Sequence, residues 1–108
     1  MTESDPNGKD QHEPGAKLDS GKNRLGLVLG GFALALEQVG WVGTHGAEKY
    51  SPNGWVHVPD GEERYMDALY RHLNAYQAGS ETDKDSELLH LAHAAWCLLA
   101  VLDLKLRA

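Results

Sequence analysis

The sequence predicts an all-α fold: a small bundle of three main helices behind a disordered N-terminal arm, oligomerising through the C-terminal helix. Two observations carry this. Apolar residues recur at helical spacing in three segments, and clusters of Gly, Pro, Asn and Asp separate them. The last segment, from Leu88 to Leu102, is apolar nearly all the way round. A helix of that kind must be covered on all sides, and in a chain of 108 residues that predicts a subunit interface.

Residues 1–14 are polar, contain Pro6, Gly8 and Pro14, and show no hydrophobic period. Such a composition does not offset the entropy of ordering, so this stretch is expected to be a disordered arm. Residues 15–108 are expected to form a single helical domain. Its first helix is predicted from Arg24 to about Val42, with Leu25, Val28, Leu29, Phe32, Leu36 and Val39 on the helical period. Gly30-Gly31 in its middle signals a kink or a close helix crossing. Gly43 to Asp60 is predicted as a loop, and one this long in a small domain is often functional.

The second helix is predicted from Gly61 to Ala78. Asp60 is its expected N-cap, with Glu63 completing a capping box, and Gly79 is its expected C-cap. The third is predicted from Ser86 to Lys105, with Asp83 or Asp85 as N-cap. Ser86, His90, His93 and Cys97 would then form one narrow stripe along it.

Composition excludes several function classes. Ten Lys plus Arg against sixteen Asp plus Glu give a net charge of −6, which argues against binding a nucleic-acid backbone. One cysteine allows neither an intrachain disulfide nor a cysteine zinc cluster. The longest apolar run holds two histidines and is too short to span a bilayer, so no membrane role is expected. The absence of a signal peptide adds the expectation of a reducing, cytoplasmic location.

The chemistry is concentrated in two strings. Arg64 to His72 and Ser86 to His93 place charged and imidazole groups inside apolar helical patterns, where leaving them without partners is costly. The pair His90 and His93, three residues apart, can share a metal. Asp67, Asp83, Asp85 and Glu87 are the nearby acids, and a carboxylate-rich site prefers magnesium or manganese held jointly with substrate phosphates. Arg71 and Lys49 would neutralise phosphate oxygens. His72, His90 or His93 would act as general base or phosphate donor. Tyr50 and Trp55, beside Lys49 and Asn53, suit a nucleobase by stacking and edge hydrogen bonds. The residues read alone leave two readings open: a phosphate or metal site on a helical scaffold, or polar groups paired within a core.

As a set, the strings Gly15 to Lys22, Val42 to Tyr50, Asn53 to Trp55, Arg64 to Ala68, Arg71 to Leu73 and Asp85 to Trp96 resemble the phage-associated dATP/dGTP diphosphohydrolase (N-terminal domain) family. The resemblance implies an all-helical protein that hydrolyses purine deoxynucleotides to the monophosphate and pyrophosphate with Mg2+. Carried onto this sequence, it implies catalytic roles for His72, His90 and His93. Substrate contacts would come from Lys49, Tyr50, Asn53, Trp55, Arg64 and Arg71, and metal ligation from Asp67 and Asp85.

Two departures stand out. The family pattern often carries a small residue where Glu87 stands. Glu62-Glu63 followed by Asp67 is only a partial echo of the doubled glutamates with which helical pyrophosphatases of the MazG type hold metals. The alternative expectation is therefore a non-catalytic protein that sequesters a nucleotide-derived immune signal, an anti-defence sponge.

Overall fold

The computed structural model describes residues 2–107. Among them are helices α1 (Gly26–Leu29), α2 (Ala33–Lys49), α3 (Gly61–Gln77) and α4 (His90–Arg107), and a 3-10 turn, Gly54–His57. No strand is present among the described residues, only an isolated bridge between Thr82 and Leu89. The chain is all-α with three main helices, as its periodicity predicts. It divides into two compact units, one ending at Gly31 and one starting at Phe32.

In the first unit the polar arm carries neither helix nor strand. It is folded by local turns around Asp5, whose carboxylate accepts the backbone N–H of Asn7 at 2.7 Å and of Lys17 at 2.8 Å. Those N–H groups and that of Lys9 hold the Asp5 pKa below its usual value. The unit ends in α1. The helix predicted from Arg24 to Val42 is therefore not continuous: α1 stops at Leu29 and α2 begins at Ala33. The glycine pair is the physical reason, since a Cβ at Gly31 would meet the Leu27 carbonyl oxygen at 2.5 Å, so the tight turn there admits only glycine.

The second unit holds the core. Helix α3 spans the stretch its amphipathic pattern marks, and it runs antiparallel to α4. Glu62 at its start lies 3.7 Å from Lys105, and His72 near its end meets His90. Leu69, Ala94 and Cys97 are buried between the two helices, with Tyr65, Met66, Ala68 and Trp96 packed around them. Trp96 takes the edges of Trp55 and Tyr65 at centroid distances of 5.9 and 5.4 Å, which fastens the 3-10 turn to the hairpin. Leu91, Leu98, Leu99, Leu102 and Leu106 on α4 remain between 47 and 76 % exposed.

Three boundaries differ from expectation, each for a local reason. Helix α2 continues through the predicted loop to Lys49 despite Gly40, Gly43 and Gly46. Packing overrides propensity there: a Cβ at Gly43 would sit 3.6 Å from the Trp96 indole nitrogen, so the bare helix face lies close to that ring. Asp60 precedes α3, but in the left-handed region (φ 56°), and its side chain caps nothing; its carbonyl instead accepts the Arg64 N–H, so no capping box forms. Helix α4 begins at His90, not Ser86. Residues 82–89 fold back as a turn in which Asp83 donates its N–H to the Leu88 carbonyl and His90 donates to Glu81. Asp83 thus caps this turn rather than the helix. The expected stop of α3 does form: Gly79 (φ 100°) donates to Tyr76 and Ser80 donates to Ala75, a pairing that satisfies the last carbonyls.

Candidate functional site

The turn between α3 and α4 builds the site. By folding back it brings Ser80, Asp83 and Ser86 over the three histidines of the hairpin. The rings of His72 and His93 stack at 4.5 Å with planes 7° apart. His72 Nδ1 lies 2.8 Å from His90 Nδ1. Ser80 Oγ bonds the Thr82 carbonyl and lies 3.2 Å from His90 Nε2. Its single hydroxyl proton is engaged by the carbonyl, so it accepts from His90 Nε2–H, and His90 Nδ1 is left as a bare lone pair facing His72. Ser86 Oγ stands 2.6 Å from His93 Nε2 and 3.1 Å from Asp83 Oδ2, which also accepts the Ser86 N–H at 2.9 Å.

These surroundings set the charges. Burial, then the neighbouring His93, pushes the His72 pKa down to about 4, so it is neutral at physiological pH. Burial also lowers that of His93. Burial works to raise the Asp83 pKa, but hydrogen bonds from the Ser86 N–H and hydroxyl outweigh it, and the net shift is downward. Burial pushes the Cys97 thiol up to about 11, which leaves it an apolar floor rather than a nucleophile.

A cleft of about 1060 Å3 opens beside this cluster, between the second half of α2, the segment 50–58 and the α3–α4 hairpin. His72, His93 and Asp83 line it; His90 does not, being 7 % exposed behind His72. Arg64, Asp67 and Arg71 face it from α3. The i, i+4 pair of Asp67 and Arg71 is not closed, and neither has an ion-pair partner among the described residues. Arg64 donates to the Pro59 carbonyl at 3.2 Å.

On the opposite wall Tyr50 is 77 % exposed, with Lys49 Nζ 5.4 Å from its ring centre. Asn53 and Trp55 complete that rim, although one edge of Trp55 is already spent on Trp96. Lys49 Nζ reaches Asp85 Oδ2 at 2.7 Å and His45 Nε2 reaches it at 3.4 Å. The Asp85 carboxylate, held below its usual pKa by Lys49 and then His45, is therefore engaged by two partners, the Lys49 ammonium and the His45 ring.

Ten of the eleven residues singled out in the sequence meet on this one cleft, and His90 stands behind it. Three participants went unrecognised. His45 was hidden by the loop reading of 43–49; once that stretch is helix, His45 and Lys49 share a face at i, i+4. Ser80 lies between the predicted second and third helices, where local pattern marks no ligand. Asp83 was counted among the nearby acids but not among the ligands, and its signal was its place in the turn between Gly79 and His90.

The described helices include none long and apolar enough to cross a membrane. No solved structure matches the chain. A protein of Salmonella phage PMBT28 described as "dATP/dGTP diphosphohydrolase" is 33 % identical over 87 residues, covering 81 % of this chain and 28 % of that protein. The chain thus spans under a third of the length of the relative it matches. The family described as dATP/dGTP diphosphohydrolase, N-terminal, matches residues 12–108, nearly all of the sequence and every residue of the cleft. The chain belongs to the dATP/dGTP diphosphohydrolase N-terminal family.

Proposed function

We propose that the cleft takes a purine deoxynucleoside triphosphate and that the protein hydrolyses it to the monophosphate and pyrophosphate in the bacterial cytoplasm. The observation that carries this reading is one cleft lined both by an open aromatic face, Tyr50, and by the guanidinium of Arg71, which has no ion-pair partner among the described residues, beside the hydrogen-bonded imidazoles of His72 and His93. The base stacks on Tyr50, with Trp55 closing its edge and Asn53 offering amide hydrogen bonds. Arg71, Arg64 and Lys49 take phosphate oxygens. Neutral His72 or His93 accepts a proton from the attacking water, a role that a depressed pKa permits.

Magnesium fits this cleft through oxygen donors. Asp67 has no ion-pair partner among the described residues and would hold the ion with substrate phosphates, and Asp85 would join once Lys49 turns to the nucleotide. When bound, the ion polarises the phosphoryl group. Incubation of the folded chain with dATP or dGTP and Mg2+, followed by separation of the nucleotides, is expected to yield dAMP or dGMP with pyrophosphate. Recovery of unaltered triphosphate would remove the enzymatic claim.

A specific observation favours a second reading, in which the chain binds and sequesters a nucleotide signal without cleaving it. Among the described residues no glutamate lines the cleft, and Glu62 lies at the far end of α3 beside Lys105. Under that reading, nucleotide released by heat from the complex is chemically unchanged. In either case the exposed leucines of α4 are proposed as the face through which copies associate.

A further inference from the structure

On the wall of the nucleotide cleft, with one member buried behind it, is a donor set of a different kind. His72, Asp83 and His90 each offer one ligand atom, and the three atoms lie within 4.8 Å of one another. The convergence of His72 Nδ1 and His90 Nδ1 at 2.8 Å is close to what a shared ion requires. Two nitrogens each about 2.1 Å from one cation lie roughly 3.0–3.4 Å apart at octahedral or tetrahedral angles, so a shift of about half an ångström or less would suffice.

Each donor is also aimed by a neighbour. Ser80 accepts from His90 Nε2–H, which fixes the tautomer that presents the Nδ1 lone pair. Asp83 receives both Ser86 hydrogen bonds on Oδ2, and its Oδ1 accepts none from the described residues. His72 needs only to carry its proton on Nε2 for its own Nδ1 to bind.

We infer that His72, Asp83 and His90 form a site for a divalent transition cation of the zinc, cobalt or manganese kind, distinct from any magnesium held by Asp67. Two imidazoles and one carboxylate are the wrong set for magnesium, which demands oxygen, and the right one for a borderline cation. The site is open rather than closed. His90 is buried while His72 and Asp83 line the cleft, so an ion held there would be within reach of phosphate or water in the cleft. Cys97, which also lines the cleft, does not join the set.

The test uses the whole chain, stripped of metal with a chelator and free of nucleotide, so its outcome is independent of the proposed hydrolysis. Titration with Co2+ at neutral pH is expected to give one bound equivalent with visible d–d absorption. Zn2+ should abolish that absorption and a large excess of Mg2+ should leave it. His72→Gln and Asp83→Asn are each expected to weaken binding by about tenfold or more. Glu63→Gln, on the exposed start of α3, should not. Because His90 is buried, His90→Gln is read only where circular dichroism shows native helix content, and the two half-buried positions keep the inference testable without it. A folded chain that takes up no Co2+, or holds it equally well as the His72→Gln, Asp83→Asn double variant, would overturn it.

Discussion

Glu87 holds a φ of 63° in the turn that carries Ser86 onto His93. A side chain in that region costs on the order of 1 kcal/mol. This is the position where the family pattern often has a small residue, and the backbone now supplies the reason. Replacement by glycine removes the strain but adds freedom to the unfolded chain, so Glu87→Gly is expected to be neutral or stabilising by up to about 1 kcal/mol. Urea unfolding checks it, and a loss of more than that would mean that the Glu87 side chain holds the turn in a way the structure does not show.

His72 makes a second claim at this scale. Its folded pKa is about 4 against an ordinary value of 6.5. Between those values the unfolded chain binds a proton that the folded chain refuses. Stability of the metal-free protein is therefore full above pH 6.5 and declines as the pH falls toward 4, with His93 acting in the same direction. Urea midpoints measured across that window should fall with pH, less steeply in His72→Gln; a flat profile would contradict the burial of these rings.

Among the elements, α3 was the most legible, because its polar and apolar faces separate cleanly and no packing constraint competes with them. The start of α4 was not. Ser86 to Leu89 continue its helical pattern, yet hydrogen bonds donated by Ser86 to the Asp83 carboxylate and a bridge between Leu89 and Thr82 recruit them into the turn. The same turn supplies Ser80 and Asp83 to the site, so the part of the site that local pattern misread is the part that tertiary contacts build. Glycines in α2 read as loop because their propensity is poor, whereas contact with Trp96 keeps the stretch helical and so delivers His45 and Lys49 to Asp85. What the sequence did expose was chemical: arginine and histidine inside apolar runs, which local spacing alone marks as costly. The α3–α4 hairpin carries the energetics. Leu69 is buried against Ala94 and Cys97, and Leu69→Ala is expected to cost about 2–4 kcal/mol in thermal or urea unfolding. A cost well under 1 kcal/mol would mean the hairpin is not the stabilising contact.

At the scale of the whole molecule, the second unit is short of covered apolar surface. Among the described residues no large side chain is wholly buried, while five leucines of α4 remain open. A small chain with so modest a core gains from association. Sedimentation velocity is expected to show a dimer or larger species, and a Leu98→Glu, Leu102→Glu variant should shift it toward monomer; a wild-type chain that is monomeric at high concentration would contradict the proposed interface.

The account rests on the cleft itself, with an aromatic wall facing an arginine and imidazole wall. Calorimetric titration of the folded chain with dGTP and dATP tests it most directly. Saturable binding is expected, weakened about tenfold or more when Arg71→Ala removes the free guanidinium and likewise when Tyr50→Ala removes the stacking face. Absence of binding, or binding that neither substitution changes, would show that these residues do not receive a nucleotide.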